Sequence, residues 1–400
     1  MIPISQAVKI VIEHVPQLPN ESVALSEAQG RVLAEDVTAD SDLPPFDRAQ
    51  MDGYAVRAAD VATTPARLRI VGESAAGAGW HHEMKTGEAV RIMTGAPVPA
   101  GADAVQQVEL TREVADAGLV EILESVNVGR SIVKRSDEIK AGQTVLRAGE
   151  EITAAMIATL ASFGFAQVRV SRRPQVSVMA TGSELVDVDQ KPGRDQIRDS
   201  NNYTIAAFAS LAGAVVERLP LVGDDTEELK RQIAKAAERS DVLITSGGVS
   251  MGVYDFTKAA LKELGAEIFF ERVALRPGKP TVFAKLSNSL VFGLPGNPVS
   301  VAVTFNLFAR TALRLMQGAK EPMLPTESAV ITRALKGSID RDSYLPAVLR
   351  TDEKGTLLVE PLKWGGSSDF VSFARSTALI NVSAGVNVEA GELVRVFRLP

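Results

Sequence analysis

The sequence contains no cysteine and only three histidines, His14, His81 and His82, among 400 residues. The first absence excludes disulfides and thiolate metal sites, and it fits the cytoplasm. The second leaves no histidine in the glycine-rich half of the chain, so neither a zinc centre nor a Ser-His-Asp triad is expected there. Aromatic residues make up 5% of the chain, and no apolar run reads as long enough to span a membrane. The N-terminus, MIPISQAVKIVIEHV, places Ile4, Val8, Val11, Ile12 and Val15 at helical spacing without a basic leader and cleavable apolar core. It reads as a helix, not a signal. Positive charge is in deficit too. A net charge of −6 argues against nonspecific nucleic-acid binding. No low-complexity tract stands out, and 46% hydrophobic with 23% charged residues describes an ordinary globular chain, long enough for roughly two to four domains.

Beyond the first helix, DLPPFDRAQMDGYAV is turn-rich, and the following stretch to about Glu138 reads as β-rich, with short apolar segments between Gly, Pro and acidic turns. Thr153 precedes an apolar helix ending at Gly164. From Gln175 the rhythm changes to strands alternating with helices: QVSVMA, a helix over 200–212, AVVERL, a helix over 226–239, then DVLITSGGVSMGVYDFTKAALKEL over 241–264. That alternation predicts a mostly parallel, doubly wound sheet whose ligands bind beyond the carboxyl ends of the strands. Past Gln317-Gly318, prolines and short strands read as a small β domain.

Four stretches, Thr181 to Glu184, Asp224, Ser246 to Gly248 and Pro295 to Pro298, fall at those strand ends, and these, like Asp255 and the RPGKP loop, each also have a purely structural reading. In Ser246-Gly247-Gly248 the glycines let amides crowd toward an anion or simply take positive φ. Asp255 either caps the next helix or faces a ligand. Asp225 with Glu228 fits a capping box, which leaves Asp224 over. Glu184, after Thr181-Gly182, is a solvated carboxylate or a ligand. Three carboxylates on one rim, Glu184, Asp224 and Asp255, would suit Mg²⁺. Arg276 and Lys279 flank Pro277-Gly278 and read as an oxyanion site or as surface charge. Pro295-Gly296-Asn297-Pro298 puts Asn297 at a helix cap and Pro298 at the first helical position, where free amides also favour an anion. MDGYAV and RIMTGAPVP in the front half are turns to which spacing assigns no chemistry.

Taken together and in this order, MDGYAV, RIMTGAPVP, ATGSEL, SGGVSMGVYDF, RPGKP and GLPGNPVS resemble the molybdopterin molybdenumtransferase family, whose bacterial members are called MoeA and whose animal relative is the E domain of gephyrin. The resemblance covers essentially the whole chain. It implies a multidomain α/β plus β fold: an α/β molybdopterin-binding domain (1–20 and 171–322), a β-rich domain with MDGYAV and TGAPVP (41–138), an elongated linking domain (21–40 and 139–170) and a small C-terminal β-barrel-like domain (323–400). It implies a cytoplasmic enzyme of molybdenum cofactor biosynthesis that inserts molybdate into the dithiolene of adenylylated molybdopterin, releases AMP and depends on Mg²⁺. It further implies a homodimer in which the front β domain of one subunit faces the α/β domain of the other, and contact with the molybdopterin adenylyltransferase.

Residue by residue, the resemblance gives catalytic roles to Asp52, Thr94, Glu184, Asp224, Asp255 and Lys279. It gives substrate-binding roles to Ser246, Gly247, Gly248, Ser250, Arg276, Pro295, Pro298, Ser367 and Glu138, and Mg²⁺ to Glu184, Asp224 and Asp255. The chain departs from the pattern in three places. Ser136-Asp137-Glu138 stands where relatives often have Gly-Glu-Asp, Arg276 where some have Lys, and Pro346 where some have Arg, which leaves a cationic contribution from the C-terminal domain open. Two alternative readings stand beside it: the adenylyltransferase, which needs neither the front nor the C-terminal domain, and a non-catalytic pterin-binding scaffold.

Overall fold

The computed structural model describes residues 1–114, 117–223, 225–248 and 256–400, which form two compact units. One comprises residues 1–35, 148–154 and 167–400; the other comprises residues 36–147 and 155–166.

The larger unit is built on a six-stranded sheet: β1 (Gln175–Ala180), β2 (Val215–Arg218), β3 (Val242–Ser246), β4 (Glu267–Phe270), β5 (Val282–Leu286) and β6 (Ser289–Leu294). The spatial order is β2-β1-β3-β6-β5-β4. The first four strands of that order run parallel, and β5 runs antiparallel to both of its neighbours. The reason for the exception is local. Only Ser287 and Asn288 separate β5 from β6, too few for a crossover, and Ser287 takes φ 55° to make the turn. Alternate residues of the central strands pack into different cores. Val178, Ile244 and Phe292 meet the N-terminal helix (Ile4–His14), the helix Asn201–Leu211 and the long helix Pro298–Met316. Met179, Leu243 and Val291 meet the helices Thr226–Arg239 and Phe256–Glu263. Both faces are covered, as a parallel sheet requires.

Two expectations need correction. Helix Pro298–Met316 has the length and mean hydropathy, 1.2, of a membrane span, although no such run was expected; 89% of that window is buried within the unit. It serves as a core helix, and a π turn over Phe305–Ala309 interrupts its regular winding. The capping box at Thr226–Arg239 is half formed. Asp225 Oδ1 accepts from the amides of Glu227 (3.0 Å) and Glu228 (3.1 Å), while the Glu228 carboxylate turns to Gln232 Nε2 (2.8 Å) and Arg231.

The C-terminal region closes a five-stranded barrel: Asp342–Thr351, Leu357–Pro361, Thr326–Ile331, Leu393–Arg398, Ala378–Val382 and back to Asp342–Thr351. Closure depends on the ten residues of Asp342–Thr351. Ser343 to Ala347 pair with one neighbour and Ala347 to Thr351 with the other, so one strand serves both sides of the seam. The barrel interior is aliphatic, with Ala329, Ile331, Ala347, Val359, Ile380 and Val396 among its buried residues. A short strand, Leu275–Arg276, pairs in parallel with the start of Asp342–Thr351, matching Leu275 to Asp342 and Arg276 to Ser343. The RPGK loop of the α/β domain is thereby sewn to the barrel wall.

The second unit holds another six-stranded sheet, in the order Ala104–Gln107, Gly53–Val56, Glu88–Ile92, Ala66–Ser74, Leu119–Ile122 and Thr111–Val114. Tyr54, Val56, Leu68, Val120 and Ile122 fill one core, and Ala55, Val90, Ile92 and Val105 fill another. The architecture is the expected one: a mostly parallel α/β domain, a β-rich front region and a small C-terminal barrel. Of the segments expected to link domains, Asn20–Ala24 pairs with Gln167–Ser171 in the larger unit, and Val37–Thr38 with Thr144–Leu146 in the other.

Candidate functional site

Three parallel strands end in one row. Ala180 is in register with Ser246, and Ser246 with Leu294, so the loops after β1, β3 and β6 leave the sheet side by side. Two backbone bonds hold them together: Thr181 N donates to Ser246 O (2.9 Å) and Gly247 N to Leu294 O (3.3 Å). A cleft of about 1990 Å³ opens over this row. It takes in the loop Thr181–Glu184, the turn Ser246–Gly248, the cationic loop Arg276–Lys279, the helix start Pro295–Pro298 and, from the C-terminal region, Arg341 and residues 364–368. The cleft therefore gathers Glu184, Ser246, Gly247, Gly248, Arg276, Lys279, Pro295, Pro298 and Ser367, which the sequence scattered over 184 positions, counting Glu184 to Ser367 inclusive (367 − 184 + 1).

The glycine turn is demanded by geometry. Gly247 has φ 87°, and a Cβ there would overlap the carbonyl oxygen of Thr181; Gly248 has φ 63°, and a Cβ would lie 2.6 Å from Thr257 Oγ1. The turn packs on the next helix through Thr257 N, which donates to Gly248 O (3.3 Å). Ser246 is buried, and its hydroxyl has no partner among the described residues although it lines the cleft. A buried, unpaired hydroxyl beside open space is suited to a polar ligand. In the RPGK loop, Gly278 has φ 119°, and a Cβ would overlap the Thr304 methyl group on the long helix. The loop therefore lies hard against that helix. Arg276 is exposed and Lys279 half-buried, and neither forms an ion pair among the described residues.

The helix start departs from expectation in one detail. Asn297 occupies the cap position without capping; its Nδ2 instead donates to Ser367 Oγ (2.8 Å), and Val299 N donates to Ser367 O (3.0 Å). Ser367 thus joins the cleft by docking a C-terminal loop onto the helix that follows β6. Asp369 shapes the same loop. It accepts from Gly365 N (2.8 Å) and from Ser372 N and Oγ, and these bonds hold its carboxyl below the ordinary carboxylate range.

Several lining residues escaped the sequence reading. Asn201 Nδ2 donates to Gly296 O (2.7 Å), tying the helix Asn201–Leu211 to the Pro295–Pro298 loop. Asp199 is buried in the cleft wall and accepts from Asn202 N (3.0 Å); burial pushes its carboxyl up despite the amide donors of Asn202 and Asn201. The string Asp199-Ser200-Asn201-Asn202 before a helix was the available signal, but it also serves as ordinary capping chemistry. Arg198, Arg341 and Trp364 also line the cleft. Its described lining carries four cationic side chains, Arg198, Arg276, Lys279 and Arg341, against two carboxylates, Glu184 and Asp199. In a chain of net charge −6, that local excess marks an anion site.

Asp224, Ser250 and Asp255 lie outside the described residues. Among the described residues no group of three His, Asp or Glu side chains converges as a metal site, and Glu184 is the one member of the expected Mg²⁺ trio that the structure places on the cleft. Asp52, Thr94 and Glu138 belong to the second unit. There Asp52 Oδ1 accepts from Thr94 N (2.7 Å) and Thr94 Oγ1 (2.8 Å), bonds that lower its pKa, the backbone donor most. Those two front motifs are thus joined. Glu138 is engaged elsewhere, accepting from Arg48 at 2.9 Å.

Three family models together match most of the chain: the MoeA N-terminal region (domain I and II) over residues 2–164, a probable molybdopterin binding domain over 177–315, and the MoeA C-terminal region (domain IV) over 328–399. The chain is 36% identical to the molybdopterin molybdenumtransferase of Bacillus subtilis (strain 168), over 99% of this chain and 93% of that one. It is also 36% identical to the molybdopterin molybdenumtransferase of Haemophilus influenzae, over 99% and 98%. Among solved structures, a molybdopterin biosynthesis MoeA protein from Pyrococcus horikoshii OT3 superposes with a TM-score of 0.85 at 28% identity, covering 100% of both chains.

Proposed function

The chain belongs to the MoeA family of molybdopterin molybdenumtransferases, enzymes of molybdenum cofactor biosynthesis, and from that premise we propose that it inserts molybdate into the dithiolene of adenylylated molybdopterin with release of AMP. The observation that carries this reading is the single cleft over the row Ala180, Ser246 and Leu294. It puts a glycine turn, a helix start and two cations without carboxylate partners among the described residues around one space. Each part has work that suits such a substrate. Gly247 N and Val299 N are already bonded to Leu294 O and Ser367 O, so the turn offers phosphate oxygens the Gly248 amide and the Ser246 hydroxyl, unpartnered among the described residues, and the helix start offers its positive dipole end. Arg276 and Lys279 neutralise and orient a tetrahedral oxyanion. The fixed glycine backbone keeps these donors in place before substrate arrives, so little reorganisation accompanies reaction.

Dependence on Mg²⁺ belongs to the proposal, with Glu184, Asp224 and Asp255 as the carboxylates; bound there, the ion would neutralise charge on the pyrophosphate bridge. Among the described residues, Glu184 alone of these stands on the cleft. Cytoplasmic location, a homodimer in which Asp52 and Thr94 complete the partner's cleft, and contact with the adenylyltransferase complete the proposal.

The test is AMP formation from adenylylated molybdopterin with molybdate and Mg²⁺. Wild type should release AMP and incorporate molybdenum, and Lys279→Ala should fall about a hundredfold or more, the size of effect seen when one preorganised charge donor is lost. Pterin binding without AMP release would instead establish a scaffold, and pyrophosphate formed from ATP and pterin would establish an adenylyltransferase.

A further inference from the structure

The loop that carries Ser367 is anchored by rings at its two ends and by a carboxylate between them. Trp364 packs against both the core around the long helix and the barrel core, and Phe373 packs against the first of these. The residues between, Gly365-Gly366-Ser367-Ser368-Asp369, have no apolar side chain to bury, and Phe370 beyond them is exposed. With two glycines, such a segment loses much conformational entropy in taking one shape. Polar bonds must offset that loss.

Asp369 makes several of them. Its Oδ2 accepts from Gly365 N (2.8 Å) and Ser372 Oγ (2.7 Å), and its Oδ1 accepts from Ser372 N (3.1 Å). Asp369 N donates back to Gly366 O (3.0 Å), so the loop is closed by both the side chain and the backbone of one residue. Helix capping accounts for the bonds to Ser372 but not for the one to Gly365, four positions back and outside the helix. That Gly365 amide also does most to hold the Asp369 carboxyl below its ordinary range. Gly365, Gly366, Ser367 and Ser368 line the cleft, and Asp369 stands behind them. What the closed loop presents is Ser367. Its carbonyl accepts from Val299 N (3.0 Å) and its hydroxyl oxygen from Asn297 Nδ2 (2.8 Å), which leaves the hydroxyl hydrogen for a group in the cleft.

We propose that Asp369 is a positioning residue: by clamping Gly365 it holds the loop closed, so that Ser367 is docked on the helix start with its hydroxyl hydrogen turned to the substrate before substrate arrives. The assignment rests on the substrate-binding reading of this cleft given above. Asp369 touches no substrate and acts only through the loop.

Two measurements on the full chain test it: the kinetics of AMP release from adenylylated molybdopterin, and hydrogen exchange at the Val299 amide. Val299 lies in the first helical turn, where the helix supplies no acceptor of its own, so its protection reports the docking of Ser367. Asp369→Ala should leave the loop closed about a tenth of the time, raising KM about tenfold with kcat within about twofold and speeding Val299 exchange about tenfold. Ser372→Ala spares the Gly365 clamp and should stay within about twofold on both readouts. Asp369→Asn keeps one acceptor oxygen and should raise KM about threefold; it decides should Asp369→Ala melt early. In a Ser367→Ala background, adding Asp369→Ala should raise KM by no more than about twofold, because the group being positioned is gone. The assignment is overturned by wild-type KM or wild-type Val299 exchange in Asp369→Ala, by an equal loss in Ser372→Ala, or by losses that add in the double variant. A wild type that forms no AMP, with Val299 exchange still governed by Asp369, would uphold the clamp and defeat the transferase reading instead.

Discussion

The front sheet and the strand-end cleft use the same charged residue types in opposite ways. In the front unit charges are matched: Arg48 with Glu138, Lys134 with Asp47, Arg135 with Asp42, Arg69 with Glu88, Arg67 with Glu121. In the cleft, Arg276 and Lys279 have no carboxylate within ion-pair reach among the described residues, and Arg341 keeps its fork free. Matched surface pairs each contribute little to stability, and their charge is already neutralised locally. Unmatched cations held by a glycine-locked loop cost self-repulsion in the empty protein, and that repulsion is relieved when an anion enters. A charge census of the sequence cannot make this distinction, because pairing is a property of three-dimensional neighbours.

The largest expected effect comes from reversing one charge on each side of the comparison. Arg276→Glu should weaken molybdate binding about a hundredfold in calorimetry, whereas Arg67→Glu, which breaks the front-unit pair with Glu121, should leave it within about twofold. Equal losses would show that net charge, and not placement, governs binding.

An intermediate effect tests the scaffold beneath the cations. Gly247→Ala must place a side chain at φ 87° against the Thr181 carbonyl, and should cost about 2 kcal/mol or more in denaturant unfolding. An unchanged midpoint would mean the turn adapts and is not preorganised.

The smallest effect lies on the pH axis, where the two regions should differ in sign. Asp52 in the front unit is held below its ordinary value of 3.8 by Thr94, so it adds stability above that pH which is lost as pH falls through its depressed folded value. Asp199 in the cleft wall is raised above 3.8 by burial, so its contribution is present below 3.8 and is lost as pH rises through its folded value. Asp52→Asn should therefore flatten the acid side of a melting-temperature profile. Asp199→Asn, which retains an oxygen to accept from Asn202 N, should melt no lower than wild type at neutral pH. A clear drop at neutral pH would show that the charge on Asp199 is needed.

Much of this architecture was legible in the sequence, because periodicity reports burial directly. The helix expected over 226–239 forms at Thr226–Arg239, and the alternation of strands with helices from Gln175 onward announced a mostly parallel sheet. Positive-φ glycines were legible at Gly247 and Gly248, where little else fits. What stayed hidden depends on partners distant along the chain. Asn297 looked like a cap because its nearest neighbours in sequence invite that role, but its amide is taken by Ser367, 70 positions away. The apolar run at Pro298–Met316 was not singled out because its two arginines and polar residues interrupt it, yet packing buries nearly all of it. Arg341 went unnoticed for a similar reason: nothing in Ile339-Asp340-Arg341-Asp342 announces that a two-residue strand from the other domain lies alongside.

That two-residue strand makes the cation loop a strain gauge for the barrel. Arg276 shares backbone pairing with Ser343, and Asp342–Thr351 is the strand on which barrel closure depends, so slippage anywhere around the seam is transmitted to the anchor point of the loop. Anion affinity would then report barrel integrity. Loosening substitutions on the far wall, at Ile331 or Val396, should dull molybdate binding before the barrel itself is seen to melt.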